Sequence, residues 1–96
     1  MTSIAEPDYW ALLGLDPGSD GDSLKRAFRR EARRWHPDLN GNDRQAEERF
    51  KLVNEAYAVL SDSQKRKQYD MFGAEGFQRR FTQEDIFRDV DFGSIF

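Results

Sequence analysis

Ninety-six residues with a net charge of −3 allow one small domain and favour no partner by overall charge alone. The absence of cysteine excludes a disulfide framework and thiolate-held metal centres within the chain, and it fits a reducing compartment. No apolar run is long enough to span a bilayer, and Met1 to Pro7 has neither the basic start nor the apolar stretch of a signal peptide, so a soluble, cytoplasmic chain with no membrane partner is expected.

Asp8-Tyr9-Trp10-Ala11-Leu12-Leu13-Gly14-Leu15 reads as a short first helix, opened by Pro7 or Asp8 and closed by Gly14. Asp16 to Gly21 is dense in turn formers and predicts a loop. Asp22 or Ser23 is expected to cap the second helix. There Leu24, Ala27, Phe28, Ala32 and Trp35 recur at three- and four-residue steps and form one apolar stripe. Lys25, Arg26, Arg29, Arg30, Arg33 and Arg34 fill the other faces. Pro37 cannot continue a helix and biases His36 away from helical geometry, so the helix should stop near His36.

Asn42 or Asp43 is placed to cap a third helix. Ala46, Phe50, Val53, Tyr57 and Leu60 line one of its faces, with Leu52, Ala56 and Val59 beside them. Two apolar stripes joined by a short loop predict an antiparallel helical hairpin. Ser61-Asp62 breaks the pattern and opens a short fourth helix, Ser63 to Tyr69 or a little beyond, whose end is marked by Gly73 and Gly76. No β-alternation and no internal repeat is visible. From about Gly73 the chain turns to Gly and Phe punctuation in a polar stretch that Glu84, Asp85, Asp89 and Asp91 make acidic. That stretch predicts a mostly irregular tail, and the chain is expected to be part of a longer protein.

The tripeptide His36-Pro37-Asp38 stands between the two amphipathic helices. His36 is the only histidine, so no metal or nucleophile cluster is expected around it. A His–Asp enzyme is disfavoured because no nucleophile or second histidine accompanies the pair. ATP hydrolysis by the domain itself is excluded by the lack of a Gly-rich phosphate loop ending in Lys-Ser/Thr. An arginine-rich helix could track nucleic-acid phosphates, but the acidic remainder opposes it and no Asn or Gln projects beside the arginines. What remains is a rigid knob at the tip of a helical hairpin, a feature suited to protein recognition.

Asp8-Tyr9-Trp10 with Leu13-Gly14, the basic helix, His36-Pro37-Asp38, then Phe50, Asn54-Glu55-Ala56-Tyr57, Leu60-Ser61-Asp62, Lys65-Arg66 and Tyr69-Asp70 together resemble a J-domain of the DnaJ co-chaperone family. The resemblance implies an all-α fold: a four-helix domain over residues 8–73 with a central antiparallel hairpin, after a short lead at 1–7. It further implies a co-chaperone that docks on a DnaK-type 70 kDa chaperone and stimulates its ATP hydrolysis. No cofactor is implied, since nucleotide and magnesium would belong to the partner, and clients would be engaged by regions beyond Phe96.

The residues that match the family's partner contacts are Lys25, Arg29 and Arg30 on the basic helix, His36, Pro37, Asp38 and Asn40 in the loop, and Phe50 and Lys51 on the third helix. Arg26 and Arg33 extend the same basic face. Glu31 and Arg33 depart from the family pattern where aliphatic residues are usual, Leu39 replaces a usual basic residue, and Ser63 replaces a frequent proline. Residues 74–96 resemble the start of a glycine/phenylalanine-rich linker, with Asp85-Ile86-Phe87 as its Asp-Ile-Phe element and Ser94-Ile95-Phe96 as a near repeat. In some relatives such an element folds back and blocks docking. Here an acidic tail meeting basic Lys25 to Arg34 would suit that arrangement.

Overall fold

The computed structural model describes residues 8–88, Val90 and Phe92. The lead at 1–7, acidic Asp89 and Asp91, and the Ser94-Ile95-Phe96 repeat lie outside the described residues. The described elements are α1 (Tyr9–Leu12), α2 (Gly21–Arg34), a 3-10 turn (Pro37–Leu39), α3 (Arg44–Leu60), α4 (Ser63–Arg80) and α5 (Gln83–Phe87).

Each of these helices starts where a side chain supplies the acceptor that its first free amides need. Asp8 accepts from the Ala11 amide at 3.2 Å and Asp43 from Gln45 at 3.1 Å. Asp62 accepts from both Gln64 and Lys65, at 2.9 and 3.2 Å. The cap of α2 is Asp20, which takes the Ser23 amide at 2.7 Å, rather than Asp22 or Ser23. The helix starts earlier because Asp20 places an extended backbone and a short carboxylate one step before Gly21, leaving Asp22 to serve as a first-turn anion.

The hairpin is antiparallel as expected. Phe28 stacks on Tyr57 at 4.5 Å midway along it, and His36 meets Phe50 at its closed end. Leu24 and Leu60 come together at the open end. Helix α3 is the central element and packs against α1, α2, α4, α5 and the 3-10 turn. Its residues 55–60 are all buried, which is why its apolar arc reads wider than a single stripe. Phe28, Leu13, Val53, Val59 and Leu60 fill the space between α1, α2 and α3.

The fourth helix differs from its sequence reading. It runs on to Arg80, broken by a kink at Gly73, where φ is 74° and ψ is 177°. A left-handed φ of this kind is available to glycine and strained for residues with a Cβ. Gly73 thus turns the chain without ending the helical course, and Gly76 lies inside the second stretch. That turn brings Phe77, fully buried, against Tyr9 and Tyr69 at ring distances of 6.4 and 6.2 Å. Among the described residues beyond Arg80, regular structure is limited to α5, which a Thr82–Asp85 capping box opens. The tail is packed all the same: Ile86 is 1% exposed and belongs to the same core as Phe28 and Phe77.

One polar cluster sits inside this core. The Glu55 carboxylate, itself buried, accepts a short bond from the Tyr9 hydroxyl. It also accepts the side-chain amides of Gln78 at 3.5 Å and Gln83 at 2.9 Å. Burial, and then the adjacent Glu55 carboxylate, push the Tyr9 hydroxyl well above its ordinary range, so it remains a donor at any physiological pH. Removing that donor leaves a buried charge one bond short. We expect Tyr9→Phe to lower stability by about 1–3 kcal/mol in urea denaturation, and an unchanged midpoint would show that Glu55 does not depend on the hydroxyl.

Candidate functional site: the hairpin tip and the basic face

Pro37 and the 3-10 turn close the hairpin, and three side chains hold the closure in place. His36, extended at φ −61° and ψ 137°, caps the turn by accepting the Asp38 amide on Nδ1 at 3.1 Å. With Nδ1 serving as acceptor, the proton of the neutral ring resides on Nε2. The same imidazole rests edge-on against the Phe50 ring at 5.2 Å, so α3 props the capping residue from below. Asn40 fastens the other side: its Nδ2 donates to the carbonyls of Arg34 at 3.0 Å and His36 at 2.8 Å. The Arg34 carbonyl is one that the end of α2 leaves without a helical partner, and the His36 carbonyl also accepts the Leu39 amide at 3.0 Å.

The Asp38 side chain is the consequence of this scaffold. That side chain is 88% exposed, and one carboxylate oxygen lies 3.8 Å from His36 Nδ1. Among the described residues no lysine or arginine pairs with it, so both carboxylate oxygens can accept from an incoming donor. Pro37 is half-buried and fixes the backbone just before it. Leu39 is exposed beside it.

The basic face places its members differently. Lys25, Arg26, Arg29 and Arg33 are exposed along α2. Arg30 reaches back toward α1, donating from Nη2 to the Leu13 carbonyl at 2.9 Å and from Nε to Glu31 at 3.2 Å. It therefore ties α1 to α2, while its side chain keeps a partly exposed edge. The Glu31 departure has a structural use: the buried carboxylate accepts from Arg30 and from Trp35 Nε1 at 3.3 Å. Lys51 is mostly exposed and lies 4.0 Å from Glu47 on its own helix, an ion pair that holds it weakly.

The tail residues occupy yet another place. Asp85 accepts from the Thr82 amide and lies 3.5 Å from Arg88, so its charge is met within its own turn rather than by α2. Ile86 inserts into the core beside α3. Phe87 is half-buried and faces Phe92 at 6.1 Å, and Phe92 in turn lies 5.7 Å from Phe28 and 6.3 Å from Tyr57. Among the described residues the tail meets the hairpin through apolar contact and the Gln83–Glu55 bond. Among the described residues, too, no three His, Asp or Glu side chains converge to hold a metal, and no described helix is long and apolar enough to cross a membrane.

An all-helical domain with a capped His-Pro-Asp turn at the tip of a hairpin, flanked by a basic helix, defines the J-domain class. A family model for the DnaJ domain matches residues 8–70, and the chain belongs to that family. It is 50% identical over 93 residues to the chaperone protein DnaJ of Methanothermobacter thermautotrophicus, which covers 97% of this chain and 24% of that one. The chaperone protein DnaJ of Clostridium kluyveri is 48% identical over 98 residues, covering 97% and 26%. The chain thus spans about a quarter of the length of these curated relatives. In three dimensions it is similar to the J-Trx1 fragment of ERdj5, with a TM-score of 0.65 and 33% identity over 75% of this chain and 38% of that one.

The tip geometry predicts a positioning role for Asn40. Asn40→Ala should lower stability by about 1 kcal/mol and speed amide exchange at Leu39 and Asn40 while leaving the core amides of α3 protected. Unchanged exchange at the tip would remove Asn40 from the scaffold.

Proposed function

We propose that this domain docks on a DnaK-type 70 kDa chaperone and stimulates its ATP hydrolysis, coupling that step to the capture of client proteins by other regions of the longer protein. The observation that carries the reading is the Asp38 carboxylate, exposed on a turn braced by His36, Phe50 and Asn40. A carboxylate held this way can accept two parallel bonds from an arginine of the partner. The bracing lowers the ordering cost of binding, because the turn is already formed. Lys25, Arg26, Arg29 and Arg33 supply a positive face along the same hairpin that would steer an acidic surface toward the tip. Phe50 and Lys51 flank the tip from α3, and Arg30 contributes charge while anchored to Leu13.

Asp38→Asn keeps the shape and removes the charge. In single-turnover hydrolysis by a DnaK-type chaperone, wild-type domain should accelerate the reaction and the variant should not, with the thermal transition unchanged. A variant that unfolds, or one that stimulates normally, would reject Asp38 as the contact. The stimulation should also weaken as salt rises, because the steering charges are exposed.

The tail supports a second reading, a reversible block of docking. Phe92 covers the Phe28–Tyr57 pair, and α5 lies along α3 on the element that carries Phe50 and Lys51. A cut after Gly76 would remove the fully buried Phe77, and Phe81 stacks on that ring at 4.4 Å, so the informative truncation follows Thr82. Chaperone affinity should rise on that truncation if the tail competes for the surface. Equal affinity would make the tail a packed appendage only.

A further inference from the structure

At the open end of the hairpin, away from the His-Pro-Asp tip, lies a groove of about 790 Å3 between α2, α3 and α4. Its size falls within the roughly 300–1,000 Å3 of ligand clefts. The apolar part of its lining comes from Leu24, Tyr57, Leu60 and Met71, and the polar part includes Lys25, Arg66 and Lys67 against a single carboxylate, Asp70. That balance is opposite in sign to the whole chain, whose net charge is −3.

The three cations have different standing. Arg66 is engaged in the fold, donating to the Ser19 carbonyl at 3.3 Å and lying 4.7 Å over the Trp10 ring. Lys25 and Lys67 are exposed and form no ion pair among the described residues. Gly21 and Ser63 also border the groove, at the first turns of α2 and α4, whose leading amides are already met by the Asp20 and Asp62 caps. Met71 is 61% exposed on the groove wall, an unbranched side chain that can mould itself to an apolar group.

We propose that this groove is a second docking site, and that it takes a short acidic peptide segment of a partner protein with one large apolar side chain among its carboxylates. The apolar side chain would lie against the exposed Met71, above the nearly buried Leu24 and Leu60, while flanking carboxylates meet Lys25 and Lys67. A nucleic-acid backbone would use the cations and leave Met71 without an apolar partner. The Tyr57 ring offers no stacking platform there, since it is already stacked on Phe28. The site shares Lys25 with the basic face of α2, but Lys67 and Met71 lie outside the surface assigned to the chaperone, and the test needs no chaperone.

The probe is a fluorescent Asp-Asp-Phe-Asp-Asp peptide, titrated by anisotropy onto the whole chain at low salt, with backbone amide shifts recorded in parallel. Binding should perturb the amides around Leu24, Leu60 and Met71. Lys67→Glu should weaken it about fivefold or more, the worth of an exposed charge pair removed and reversed. Met71→Ser should weaken it by a similar factor through lost apolar contact. A peptide with Ser in place of Phe should bind several-fold less tightly, and one with Asn in place of Asp should not bind. Equal binding of the Ser peptide would reduce the site to a general anion surface and overturn the proposal. So would shifts confined to Arg26–Arg33, or indifference to both variants while each keeps its thermal transition.

Discussion

The stacking of Phe28 on Tyr57 sets the register between α2 and α3, and the two ends of the hairpin follow from it. With those rings opposed, Trp35 and His36 arrive beside Arg49 and Phe50, at 5.5 and 5.2 Å. At the other end Leu24 arrives beside Leu60. A slip of one turn would carry the closing residues about 5.4 Å along α3 and take the imidazole off its aromatic support. The hairpin's interior thus fixes where its surface charges stand. Fully burying a side chain such as Phe28 is worth about 1.5–3 kcal/mol, a large share of the net stability of so small a domain.

Labour at the tip is divided between residues that touch outward and residues that hold. His36 spends its ring nitrogen on the backbone amide of Asp38 and its ring edge on Phe50. Asn40 spends its amide on two carbonyls. Both are committed to the turn itself, and within residues 36–40 the exposed pair is Asp38 and Leu39. A tripeptide that reads as one motif is in physical terms a cap, a stiffener and an exposed charge.

Much of this was legible in the residue pattern, and the exceptions share a cause. The stripes of α2 and α3, the stop at Pro37 and the caps at Asp43 and Asp62 all come from local periodicity and local acceptors, which a linear string records. The string does not single out Asp20, because the loop before α2 holds several residues able to cap and choosing among them takes backbone geometry. The reach of α4 past Gly73 depends on Phe77 finding Tyr69 and Tyr9, and the contact with Tyr9 spans most of the chain. The Glu55 cluster left one trace in the sequence, a carboxylate set directly before the buried Ala56 and Tyr57. Its partners Tyr9, Gln78 and Gln83 come from three other elements, so the string could not announce them. Arg30 is one of several in a charged run, and the string cannot show that it also donates to the Leu13 carbonyl just past α1.

Glu55 also links α1 and α5 thermodynamically. A single carboxylate serves donors from α1, from the second stretch of α4 and from just inside α5. When α5 lifts away, Gln83 leaves with it, and the remaining donors must satisfy a charge that water can now approach. The bond from Tyr9 then carries a different load, and the local opening energy of α1 changes with it, although α1 does not move. By reciprocity, anything that grips α1 alters the free energy of releasing the tail by the same amount. Hydrogen exchange at the first helix would in this way register an event on the far side of α3.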